Sequence, residues 1–483
     1  MSKRNRRRNR QRRPPRNAAP EVATPIATAG DYEATQTSRL RSAPRISLRG
    51  EDDHLAQRDR DKLQTATMDQ RRNFAVLAWA IRKHCDFVAD HNFQPNTGDK
   101  TLNDDLAGIV ADWSTPEEFD ERQKFGLHEH VRTNEALRTI AGDILIEKLT
   151  NGRVQAIEAD RIRDPDRPNN KRGDTWKNGV LQNAAGKNIS YAVHRRDGNG
   201  FTFEKILPAE KVYHFGYFQR HDQARGITEI SAAINDFRDV ATAKTYALAK
   251  MKISQLFGLV LNVEDPTGEE ISLADGPFVA ELGQNDKAQF LTDATPSTQF
   301  DAFMRHVIGI SLKSLDLPFN FYDEAHTNFF GSRAACILYL MACKPKRRGV
   351  QQKLTHLTRW RFHYETARGK LRLPRNQSVE NLKFAWHPAG MTWFDPSKEA
   401  TAAEKLISLN LASRAEIRLA THGDDWFALT EQIAREQAHL RDLGLAEDPT
   451  APASQSGKRP TVDDLAAELI DQMNNQGNLP PWR

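Results

Sequence analysis

Three sets of side chains in this sequence have the types and spacing that chemistry uses. His356 and Arg359 form a His-x-x-Arg pair with Tyr364 five residues further on, the donors and nucleophile that a DNA strand-transfer enzyme needs. The tyrosine follows too closely for that use, and Trp360, Phe362 and His363 make the stretch read as one packed helix. Asp104-Asp105, Asp120-Glu121 and Asp424-Asp425 could seed a two-metal hydrolytic site. Adjacent carboxylates read first, however, as solvated faces or helix caps. His128 and His130 would hold imidazoles two residues apart, which point away from each other on a helix and make a poor metal pair. The sequence has no Gly-x-x-x-x-Gly-Lys-Ser/Thr phosphate loop and no Gly-x-Ser-x-Gly elbow. Cys85, Cys336 and Cys343 lie outside any CxxC spacing and read as buried free thiols in a reducing compartment. These observations lead to the expectation of a protein without enzymatic activity, metal or cofactor.

The elements that would position these residues follow from apolar periodicity. The strongest signal runs from Tyr213 to Leu261, where a short apolar strand meets the turn Gln223-Ala224-Arg225-Gly226 and then a helix of about thirty residues. Ile230, Ile234, Phe237, Ala241, Leu248 and Met251 give that helix one apolar face, and Thr228 is a candidate cap. A helix is also predicted over 65–94, through Phe74, Leu77, Ile81 and Phe87. Thr115-Pro116-Glu117-Glu118 is predicted to cap another, and a further helix through Val131, Leu137, Ile140 and Ile144 is predicted to end near Asn151-Gly152. From 154 to 215 the pattern changes to short β runs, and residues 257–295 are again strand-like, including 277–282. A second long helix spans about 297–315 before Pro318. The class is α+β. No run of apolar residues is long enough to cross a membrane, and nothing resembles a secretory leader.

The segment from Phe218 to Ser254 resembles the corresponding region of lambda-type phage portal proteins, the head-tail connectors, in which a strand and a Gln-x-Arg-Gly turn lead into a long Ala-rich helix. Further matches appear in family order. Upstream are Arg72-Asn73-Phe74, Gly142-Asp143, Gln155-Ala156-Ile157-Glu158 and Asn178-Gly179-Val180. Downstream are Leu317-Pro318-Phe319, Asn328-Phe329-Phe330-Gly331-Ser332-Arg333, Asp395-Pro396-Ser397-Lys398-Glu399 and Ser413-Arg414-Ala415-Glu416. The resemblance covers roughly residues 65–445. It implies a multi-domain protomer: residues 1–60 as arm and linker, 61–227 as an α/β wing, 228–256 and 297–318 as two stem helices, and 257–296 as a small β-rich clip between them. The tunnel loop and long wing helix would be 319–394, with an interruption near Lys344-Pro345. A helical crown would occupy 395–447, with caps at Asp395, Ser413 and Gly423-Asp424, and 448–483 would be a tail. The resemblance also implies a ring of twelve such chains at one capsid vertex of the virion, assembled in the host cytoplasm. Double-stranded DNA would pass through that ring. Terminase, a head-completion protein and capsid or scaffold protein would be partners, and no membrane is involved. Asn328, Phe329 and Phe330 in the loop, with Arg305 and Lys313 on the stem, would face the DNA. Gln223, Arg225 and Gly226 would form the turn into the stem.

Charge is segregated. Residues 1–16 hold nine Lys or Arg and no acid, among them Arg6, Arg7, Arg8, Arg10, Arg12 and Arg13, whereas the whole chain is +5. The remainder therefore carries −4 (+5 less +9), which suits a channel that must not grip phosphate. The arm's composition has nothing to bury, and it would bind phosphates or acidic partners through counterion release. Rival readings remain open at this level: a phage nuclease or recombinase, or a DNA- or RNA-binding adaptor working through the arm. Deleting residues 2–16 is expected to reduce salt-dependent DNA binding; unchanged binding, assembly and packaging would remove the arm from any such role.

Overall fold

The computed structural model describes residues 49–445, apart from 167–170, 172, 199, 257–258, 263–286, 291–297, 324–327, 376, 391–394 and 444. The arginines of the N-terminal arm, the strand expected at 277–282 and the tail after 445 all lie outside those residues. Helices start earlier than expected, at α1 (Glu51–His54) and α2 (Gln57–Asn73), inside the stretch read as linker. The single helix expected over 65–94 is divided. Phe74 is extended (φ −122°, ψ 108°) between α2 and α3 (Ala75–Val88), because its ring turns inward, with its centroid 6.1 Å from that of Phe237. After α3 the chain pairs as β1 (His91–Pro95) with β11 (Phe384–Pro388), antiparallel from His91 opposite Pro388.

Asp99 caps α4 (Lys100–Trp113) by accepting from the Leu102 N–H. Pro116 opens α5 (Pro116–Phe119) as expected. Thr115, however, does not cap it; its hydroxyl donates to the Asp112 carbonyl at 3.0 Å instead. The next helix, α6 (Leu127–Ala141), ends ten residues before the expected Asn151, because Gly142 takes φ +95° and stops it. Ile144, read as helical, belongs instead to β2 (Asp143–Lys148), the middle strand between β3 (Val154–Glu158) and β8 (Val212–Gly216). A second antiparallel sheet has β4 (Thr175–Lys177), β5 (Val180–Gln182), β6 (Asn188–Asp197) and β7 (Gly200–Pro208) in sequential order. Leu145, Ile157, Val180, Tyr191, Val193 and Leu207 bury one small core between the two sheets.

The first long helix, α7 (Ile234–Leu256), starts six residues after the expected Thr228. Residues 229–233 are turns, and Thr228 bonds locally: its hydroxyl accepts from the Ile230 N–H and donates to the Thr139 carbonyl. Strands β9 (Leu259–Asn262) and β10 (Lys287–Phe290) pair antiparallel before α8 (Thr298–Leu312), which packs beside α7. Helix α9 (Phe329–Ala367) continues through Pro345 without the expected interruption. Tyr339, Cys343, Val350, Leu354 and Leu357 are buried on both sides of the proline, and that packing outweighs one lost backbone bond. The described residues end in α10 (Pro396–Ser408), α11 (Arg414–His422) and α12 (Trp426–Asp442). Asp395 caps α10 and Ser413 with Glu416 forms the expected capping box, but α12 is capped by Asp425, because Asp424 instead pairs with Arg418. A large core joins α3, α4, α6, the start of α7, the end of α8 and α9.

Two histidines in this core are held neutral. Burial lowers His130 to about 3 and His91 to about 4, from an ordinary value of 6.5. A depressed folded-state pKa gives a contribution that is complete above 6.5 and lost as pH falls toward 4 and then 3. Burial also drops the Lys353 ammonium, 4.5 Å above the Phe215 ring, to about 7. That group destabilises the fold fully below 7 and progressively less as pH rises toward 10.5. The urea midpoint is therefore expected to fall steadily from pH 7 to pH 4, beginning well above the carboxylate range. A flat profile between 6.5 and 4.5 would show that the imidazoles are not held neutral.

Candidate functional site

The turn that leads toward α7 is a buried polar junction. Arg225 is fully buried and donates through Nε and Nη2 to both oxygens of Asp143, at 2.7 and 2.8 Å. Its remaining donors go to the carbonyls of Ala159, Ile162 and Asn178. Asp143 also takes the Gly226 N–H at 2.7 Å and His214 Nε2 at 3.1 Å. Burial alone would raise its carboxyl pKa, but Arg225 and His214 hold it well below the usual range. Gly226 lies so close to Gly142 that a Cβ there would overlap the Gly142 carbonyl oxygen. Arg60 reaches the Gly226 carbonyl at 2.6 Å, and Gln223 fastens the preceding loop by accepting from the Gln219 N–H and donating to the Arg225 carbonyl.

A second buried cluster adjoins this turn. Glu135 accepts from the Tyr217 hydroxyl at 2.6 Å and pairs with Arg138 at 2.7 Å and His84 at 3.0 Å. Burial opposes its charge, yet Arg138 and His84 keep it ionised far below the ordinary carboxylate value. Arg138 in turn lies 3.9 Å from both the Phe215 and Tyr217 rings. Together these groups tie α6 to α3 and to the end of β8.

Beyond that base the long helices are uncovered. Ile234, Phe237 and Val240 of α7 and Ile308 and Leu312 of α8 are buried, but no residue from 241 to 252, nor from 299 to 307, is. Tyr246 is 71% exposed and Phe303 61%. Helix α9 presents a similar face: Phe330 is 81% exposed and Leu338 66%, with Ile337 and Met341 beside them. Asn328 caps this helix, its Oδ1 accepting from the Gly331 N–H, so Phe329 and Phe330 form the first helical turn. Lys313 is exposed just after α8, whereas Arg305 is engaged by Asp301 and Asp323.

This sequence matches the family "Phage portal protein, lambda family" over residues 37–338, more than half of its length. The chain belongs to that family. The general role of a portal protein is DNA packaging and ejection. Among solved structures, the virion of a native gene transfer agent particle is similar, with TM-score 0.46 and 11% identity over 74% of this chain and 92% of that one. The neck of the native particle, with C12 symmetry, gives 0.47 and 12% over 75% and 92%; the neck of the empty particle, with C6 symmetry, gives 0.47 and 11% over 73% and 92%. No curated protein matches.

The residues that looked catalytic have structural positions in this portal protein. His356 Nε2 lies 3.0 Å from Lys148 Nζ, Arg359 donates to the Glu380 carbonyl, and Tyr364 packs under Gly152. Asp120 accepts from the Lys124 N–H, Glu121 takes Asn151, and Asp104 and Asp105 are exposed. His128 lies on the surface near Asp90 while His130 is buried against Asn134. Among the described residues no three His, Cys, Asp or Glu side chains gather as a metal site, and all three cysteines are buried and outside any disulfide. Sequence reasoning missed Asp143 and Glu135 as organising groups; the signal for the first was the acid directly after a helix-stopping glycine. Arg225→Met would leave Asp143 buried and unpaired, and is expected to cost about 3–5 kcal/mol in urea unfolding. Pairing it with Asp143→Leu should recover part of that loss, and an unchanged single variant would contradict the role given to the pair.

Proposed function

We propose that this portal protein acts as a ring of twelve copies at one capsid vertex of the virion, assembled in the host cytoplasm, with DNA passing through its centre. Helices α7 and α8 are the stem, the segment between them is the clip, and α10–α12 are the crown. The observation that carries this reading is the uncovered helix pair in a chain of the portal family: it is anchored at Phe237 and Leu312, while among the described residues Tyr246 and Phe303 stay largely exposed. Long helices gain most of their stability from packing an apolar face, so these require neighbours. A closed ring supplies them through a heterologous interface. Asn328 and Phe330 at the start of α9, with Lys313, are the residues we assign to the channel. Arg305 is a weaker member, since Asp301 and Asp323 already neutralise it.

In this reading the clip docks terminase during packaging and a head-completion protein afterwards, and capsid or scaffold protein meets the wing. The protein is structural rather than enzymatic, in keeping with the family and with the packing of His356, Arg359 and Tyr364. Native mass measurement should give about twelve times 54.7 kDa, with a central hole in negative-stain images. Leu338→Asp combined with Met341→Asp is expected to shift that mass to the monomer while leaving far-UV circular dichroism intact. Rings that persist in this variant would exclude the exposed face of α9 from the lateral interface.

A further inference from the structure

The three C-terminal helices bury almost nothing. No apolar side chain of α10, α11 or α12 is buried, and Leu406, Phe427, Ile433 and Leu440 are exposed. Between α10 and α11 lies an open cleft of about 530 Å³, lined on its apolar side by Ala403, Ile407, Ile417 and Trp426. Arg414 and His422, the first and last residues of α11, line it too. They stand eight positions apart, about 12 Å at 1.5 Å per residue. Arg418 is matched by Asp424, so Arg414 is the cation left to face an occupant, with His422 a hydrogen-bonding imidazole at the other end of α11 and Glu404 opposing on α10.

The chain continues for 38 residues beyond Leu445, and these contain one segment with the complementary pattern. Val462, Leu465, Ala466, Leu469, Ile470 and Met473 recur at three- and four-residue steps, which predicts an amphipathic helix. Thr461 with Asp464 supplies a capping start. Asp463, Asp464, Glu468 and Asp471 make residues 461–473 wholly acidic, without a single Lys or Arg. Asp464 and Asp471 fall on one face about 10 Å apart, close to the Arg414–His422 spacing. The cleft lies near the start of α12, a helix of 17 residues that the chain must retrace. Residues 446–460 span roughly 20 Å as flexible coil and about 50 Å when extended, enough to cover that distance.

We propose that residues 461–473 dock as a helix in the α10–α11 cleft of their own chain, with Leu465 and Leu469 against Ile417 and Trp426 and the acids toward Arg414 and His422. The segment supplies the apolar cover that the three helices lack. An acidic occupant also makes the contact sensitive to salt.

Hydrogen exchange on the full-length chain tests this. Amides of 463–473 should be protected, and Leu465→Asp with Leu469→Asp should abolish that protection and speed exchange in α10 and α11, leaving β6 and β7 unchanged. Ile417→Asp, on the opposite wall, should release the same tail amides. Unprotected tail amides in the unaltered chain overturn the proposal. So does tail protection that survives Ile417→Asp while α11 remains folded, since another surface would then hold the segment.

Discussion

A charged arginine can be buried only where every one of its donors finds an oxygen, and Arg225 imposes that constraint on four other residues. Its carboxylate partner, Asp143, begins β2 immediately after α6 has been stopped by Gly142. Its other partners are carbonyls at 159, 162 and 178, from connections within and between the two sheets. Two glycines, Gly142 and Gly226, let the backbones approach near enough for the pair to close. Removing either charge leaves its partner stranded in a medium that penalises it by several kcal/mol. The direction in which the chain leaves the sheets toward α7 is thus settled by a polar junction rather than by apolar packing alone.

What this junction anchors is a protomer unevenly supplied with core. Around α3, α6 and α9 the packing is dense, and the Glu135 cluster is satisfied on several sides by Tyr217, Arg138 and His84. Outward along α7 and α8, and throughout α10–α12, apolar groups meet solvent in the isolated chain. Such a distribution suits a subunit that folds around one centre and completes its remaining surfaces by association. The net positive charge of the chain lies in residues 1–16, and the remaining residues together carry −4.

Where the sequence was readable, the information was local. Short β runs at Val154–Glu158 and Val212–Gly216 identified strands, Pro318 marked the end of the second long helix, and Ser413 with Glu416 marked the start of α11. Misreadings occurred where distant packing overrode local preference. Ile140 and Ile144 share helical spacing, but Gly142 breaks the helix between them and Ile144 pairs with Phe215, 71 residues away. Phe74 has ordinary helical neighbours yet turns to meet Phe237. Pro345 is a local stop signal that α9 passes through, because burial on either side holds the helix together.

By itself, the sequence determined the α+β class, the order and approximate length of the elements, the basic arm, the absence of familiar catalytic loops, and motifs sufficient to indicate the portal family. These properties depend on residues close together in the chain, or on their order along it. Only the tertiary structure decided that Gln223, Arg225 and Gly226 form a buried hub, that Arg305 is already paired, and that Asn328 caps a helix whose exposed face begins at Phe330. Each of those outcomes depends on desolvation and on partners tens to hundreds of residues away. A side chain's charge is written in its type, but whether that charge faces water, another charge or a neighbouring chain is a property of the folded surroundings.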